Sequence, residues 1–126
     1  MIWSWPHFLP AELRCRCCGL YLRVPDFLDR LEELRRTVGI SLKVTSGYRC
    51  PAYNAKVSTT GSEGPHTTGR AVDLLVSHET AYKVVAAGVE LGFTGIGIKQ
   101  HGPAAARFIH LDDLARGRPR VWSYPQ

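Results

Sequence analysis

Residues 64–73 read GPHTTGRAVD, and the three that follow are LLV. The first part continues residues 58–65, STTGSEGP, a small, polar, glycine-rich run with the composition of a mobile surface loop. The second part, RAVDLLV, is an apolar segment of strand length that holds a single aspartate. The stretch is thus a loop handing over to a strand. His66 is delivered by the loop to a surface cleft, and Asp73 is set in the strand seven positions later, so that both side chains could meet one ion. Gly69 and Ala71 lie between them, and such small residues let the backbone turn sharply and approach a sheet closely behind the two polar groups.

Upstream, residues 25–38 (PDFLDRLEELRRTV) place Phe27, Leu28, Leu31, Leu34 and Val38 at helical spacing. A proline and acidic residues open this helix and Gly39 closes it. ISLKVTS, residues 40–46, then alternates Ile40, Leu42 and Val44 with polar residues, the period of a strand with one buried face. A short helix or turn is expected at PAYNAKV. Downstream, SHETAYKVVAAGVELG reads as a second main helix capped at Ser77 and ended by Gly92. TGIGIKQ, RFIHLD and PRVWSY are three further short strands, separated by loops that contain Gly102-Pro103 and Gly117. The reading is one α+β domain over residues 1–126, a mainly antiparallel sheet with two main helices packed on it.

Composition limits the function classes. A chain of 126 residues with 44% hydrophobic content is long enough to bury a core of its own. No segment approaches the roughly 18 to 20 apolar residues of a membrane span, and MIWSWPHFLPAELR lacks the basic and apolar regions of a secretory signal, so a soluble, uncleaved chain is expected. The formal charge of +5 and the pI near 9.3 favour anionic partners: nucleic acid, anionic lipid or an acidic cell-wall polymer. The arginines are scattered, as on an ordinary solvated basic surface, and no nucleic-acid-binding motif accompanies them. Cys15, Cys17, Cys18 and Cys50 do not form the two separated pairs of a common structural zinc site; buried thiols, one bridge to Cys50 and a second metal site all stay open.

A third polar residue completes the set begun by His66 and Asp73. His110 stands in RFIHLDD between Phe108, Ile109 and Leu111, a polar group in an apolar strand that needs a partner. Either histidine alone reads as an ordinary loop or core residue. Together, two imidazoles and a carboxylate form the three-ligand set typical of catalytic zinc, with a fourth position open to water.

SGYRCPAYNAKV, HTTGRAVD, GFTGIGIKQ and FIHLDD…RVWSY occur in an order and spacing that resemble the M15 zinc peptidases, in particular the compact D-alanyl-D-alanine carboxypeptidase-like branch of phages and bacteria. The likeness extends over nearly the whole chain, including the opening HFLPAELRCRCCG. Of the family form Ser-x-His-x-x-Gly-x-Ala-x-Asp, His66, Gly69, Ala71 and Asp73 match, while Gly64 replaces the serine. The resemblance implies a hedgehog-type α+β fold, Zn2+ held by His66, Asp73 and His110, and hydrolysis of peptide bonds in peptidoglycan stem peptides.

It also implies that Arg49, in SGYRC, binds the substrate carboxylate or a developing oxyanion, for which a planar guanidinium suits better than an ammonium; a surface salt bridge is the structural alternative. The family's acidic residue three positions before the last histidine is absent, because Arg107 stands there. Asp112 is then the candidate general base, since two residues along a strand return to the face of His110. It could instead orient His110 as an outer acceptor. His101 is the fallback base.

The expected protein is a zinc metallopeptidase, either a D-Ala-D-Ala carboxypeptidase or an endolysin-like endopeptidase. Its expected partners are peptidoglycan peptides, with no nucleic acid and no membrane span, and a monomeric state. Synthesis in the cytoplasm with action on the cell wall, as in phage-like release, is the expected localisation. An inactive, zinc-stabilised cell-wall-binding module is the alternative, and a nucleic-acid-binding zinc knuckle on the cysteines is a third possibility.

Overall fold

Helical periodicity and end signals coincide in the longest helix. The computed structural model describes residues 3–126; Met1 and Ile2, the first residues of the opening stretch searched for a leader, lie outside the described residues. After a short helix α1 (Pro10–Leu13), α2 spans Pro25–Val38 with Pro25 and Asp26 in its first turn, and the Gly39 amide donates to the Arg35 carbonyl at its end. Phe27, Leu28, Leu31, Leu34 and Val38 are all buried, as their spacing requires. Glu32 is buried beside them, because it accepts from the His7 amide (3.0 Å) and pairs with the His7 ring, tying the N-terminal segment to the helix.

The remaining elements are β1 (Lys43–Ser46), α3 (Pro51–Val57), β2 (Ala71–Leu75), α4 (His78–Glu90), β3 (Gly95–Lys99), β4 (Phe108–Asp112) and β5 (Arg120–Ser123). The fold is α+β, with the two main helices and five strands expected from the sequence present among the described residues. Ser77 occupies the cap position of α4, but its hydroxyl makes no capping bond; it lies 3.2 Å from Nδ1 of His78 instead.

The strands form one sheet in the order β1-β2-β4-β3-β5, antiparallel except for the parallel pair β3–β5. Strand alternation divides its faces. Val44, Val72, Leu74, Ile96, Ile109 and Leu111 enter the core with α2 and α4, and Phe27 meets Phe93 edge-on at 6.2 Å. The opposite face carries Asp73, His110, Gly97 and Trp122, which the register aligns in one row across β2, β4, β3 and β5. Burying one face behind helices therefore leaves the other to carry polar chemistry.

Candidate metal centre

Asp73 and His110 are direct cross-strand partners, so the sheet fixes their spacing. Oδ1 of Asp73 lies 3.1 Å from Nδ1 of His110 and 3.3 Å from Nε2 of His66. His66 arrives from a 3-10 turn, Pro65–Thr68, that follows the polar loop. Gly69 ends that turn in the left-handed region at φ 75°, where a Cβ would stand 2.7 Å from Cβ of Leu22, so only glycine fits. The turn is pinned to the segment after β1: the Arg49 amide donates to the His66 carbonyl (3.1 Å), and Nδ1 of His66 donates to the Gly47 carbonyl (2.7 Å).

The three donor atoms lie within 4.8 Å of one another and all three residues are buried. Two imidazole nitrogens and one carboxylate oxygen, each about 2.0–2.2 Å from a common centre, are what a zinc site needs, and such a centre requires donors spaced about as these are. Both rings are held from outside. His66 has its other nitrogen on Gly47, and Nε2 of His110 donates to Oδ2 of Asp112 at 2.7 Å, which leaves Nε2 of His66 and Nδ1 of His110 facing Asp73. Burial alone would raise the Asp73 carboxyl, but hydrogen bonds from His110 and His66 hold it well below the usual carboxylate range. The donor set fits a divalent metal.

Arg49 joins this group. Its Nη2 is 3.5 Å from Oδ2 of Asp73, while Nε donates to Ser46 Oγ (3.1 Å) and Nη1 to Asn54 Oδ1 (3.2 Å). It lines the cleft and is no surface ion pair. Asp112 is placed differently. It is fully buried, both its oxygens are engaged by His110 and the Arg116 guanidinium, and it does not line the cleft. Burial would raise its carboxyl too, yet those partners hold it down to about 2. His101 also lies outside the cleft lining, with Nε2 buried and unbonded.

Sequence reasoning assigned no role to several residues that wall this cleft of about 700 Å³, among them Asn54, Phe108, Trp122 and Tyr124. Trp122 and Tyr124 are two positions apart, a spacing that signals a shared strand face. Their place beside His110 depends on Gly97, where a Cβ would lie 2.6 Å from Trp122 Nε1 and 2.8 Å from the Tyr124 hydroxyl. The polar loop is likewise tied down, because buried Asn54 donates to Thr60 Oγ1 (2.8 Å) and the Gly61 carbonyl (2.7 Å). Gly64 adjoins both: a side chain there would meet Thr60 and, at 3.1 Å, Asn54 Nδ2, which explains why serine is absent.

The sequence pattern of the family Peptidase M15 matches residues 6–112, from the segment before α1 to the end of β4. The chain belongs to the Peptidase M15 family. The members of this family are metallopeptidases, and the match takes in Arg49, His66, Asp73, His110 and Asp112. In this M15 peptidase the residues beyond the match add Arg116, which clamps Asp112, and the Trp122–Tyr124 wall. Among curated proteins no match was found.

Proposed function

We propose that the protein is a zinc-dependent peptidase that hydrolyses peptide bonds in peptidoglycan stem peptides, as a D-Ala-D-Ala carboxypeptidase or an endolysin-like endopeptidase. One observation carries the reading: the donor atoms of His66, Asp73 and His110 converge at the base of an open cleft with Arg49 beside them. A bound zinc ion supplies Lewis acidity toward a carbonyl oxygen and lowers the pKa of water. The chain's own residues do the rest. Gly47 and Asp112 fix the ring orientations of His66 and His110. Arg49, already braced by Ser46 and Asn54, offers its guanidinium to a terminal carboxylate or to negative charge developing on the scissile carbonyl. Trp122, Phe108 and Tyr124 give a peptide an apolar wall to lie against and exclude water there.

Asp112 serves as a positioning residue in this scheme and His101 takes no part. A carboxyl held to about 2 is a weak proton acceptor near neutral pH, and it lies behind His110. Among the described residues that line the cleft, Asp73 is then the one carboxylate. That observation favours a second reading, a wall-binding module that keeps the metal and has lost turnover. The net charge of +5 suits an acidic wall polymer under either reading. We place synthesis in the cytoplasm and action at the wall as a monomer.

Incubating the zinc-loaded protein with defined muropeptides and reading products by mass spectrometry separates the two. The peptidase releases D-alanine or cleaved stem fragments. The module sediments with cell walls and leaves every muropeptide intact.

A further inference from the structure

We propose that Cys15, Cys18 and Cys50, with Cys17 as fourth thiolate, form a second metal site that takes a thiolate-preferring divalent ion such as zinc in a structural role. The sulfurs of Cys15, Cys18 and Cys50 all lie within 4.8 Å of one another, and Cys17 stands in the same short segment, next to Cys18 and exposed. Tetrahedral zinc with bonds of about 2.3 Å sets its sulfurs about 3.8 Å apart, so a small contraction brings these into place.

The backbone is shaped for the purpose. Residues 15–20 form a tight knuckle in which the Cys15 amide donates to the Leu20 carbonyl (2.6 Å) and the Gly19 amide to the Cys15 carbonyl (2.9 Å). The Cys50 amide donates to the Cys15 sulfur at 3.3 Å, across from the knuckle. An amide hydrogen directed at a sulfur stabilises a thiolate, the form that binds metal. All four cysteines are free. A disulfide would use two of these sulfurs and leave two as thiols, whereas one metal ion engages the whole cluster as each thiol releases its proton to solvent.

The site also has something to hold. The Tyr48 amide donates to the Leu13 carbonyl (2.9 Å), so residues 13–15 lie against residues 48–50. Within that second segment Gly47 accepts from His66 and Arg49 reaches Asp73. A metal joining the knuckle to Cys50 braces the segment that orients the cleft.

Cobalt loading of the full chain tests this, because only sulfur ligands give the intense near-ultraviolet thiolate-to-cobalt charge-transfer band. The band is expected in the parent protein and, undiminished, in His66→Ala, which loses one equivalent of metal and retains the other. Cys18→Ser, at an exposed position, is expected to weaken the band while hydrolysis of muropeptides is still measurable. Cobalt-loaded parent and His66→Ala proteins without the band would overturn the proposal, as would an intact mass showing a Cys15–Cys50 disulfide in metal-replete protein. Neither result depends on peptidase activity, so the cysteine site and the peptidase reading fail separately.

Discussion

The two flanks of the His110 ring each meet an aspartate, and the two aspartates stand in different surroundings. On one flank Asp73 is 3.1 Å from Nδ1, with His66 and Arg49 around it and the cleft beyond. On the other, Asp112 is 2.7 Å from Nε2, with Arg116 behind it and no opening to the cleft. Both carboxylates project from the same face of the sheet, both are nearly inaccessible, and both are held ionised by their partners. Burial and charge therefore do not distinguish the carboxylate proposed as a metal ligand from the one proposed as its support. The distinction lies in what stands beyond each carboxylate: convergent nitrogen donors and open volume on one flank, a closing guanidinium on the other.

The sharpest way to break this contrast is on the cleft flank. His66→Ala removes one of three donors, so metal analysis should show the histidine site empty and muropeptide hydrolysis should fall to background, with a modest loss of thermal stability because metal binding is linked to folding. A variant that holds its metal there as tightly as the parent would contradict the site. On the sealed flank, Asp112→Asn should lower metal affinity by about 10-fold to 100-fold, with hydrolysis recovering in excess zinc. A 100-fold to 10,000-fold loss that persists at saturating zinc is instead the signature of a removed proton acceptor, and it would return Asp112 to the base role.

At the cleft rim, Arg49→Lys keeps the charge and loses the planar fork. Turnover should drop about tenfold or more with metal content unchanged, as steady-state kinetics beside metal analysis would show. His101→Ala is the smallest expected effect: no change in rate or metal, since the residue lies outside the cleft. A rate loss in that variant would mean that the loop between β3 and β4 enters the reaction.

The elements were legible where local periodicity decides them. The apolar spacing of α2 and the alternation of ISLKVTS each required one buried face, and a histidine or aspartate within an otherwise apolar strand such as β2 or β4 stands out. What joins Asp73 to His110 is nonlocal. They are 37 positions apart, and β4 is seated next to β2 only because the chain order of β3 and β4 is exchanged in the sheet. The period of two correctly returns Asp112 to the face of His110, but it does not say which ring nitrogen the carboxylate meets; the pairing of β2 with β4 sets Asp73 against Nδ1 and leaves Nε2 to Asp112. Trp122 and Tyr124 show the same limit. Their alternation is visible in RVWSY, yet their entry into the cleft depends on a parallel pairing of β5 with β3 and on a glycine facing Trp122.

The measurement that reaches the central claim most directly is a zinc titration of metal-stripped protein, with bound metal and cleavage of a defined muropeptide followed in the same samples, for the parent and for His66→Ala. The account predicts that cleavage in the parent rises in step with filling of the histidine–aspartate site, and that His66→Ala gains no cleavage however much zinc is added. A stripped protein that cleaves as fast as the loaded one, or a fully loaded parent that cleaves nothing, would contradict it.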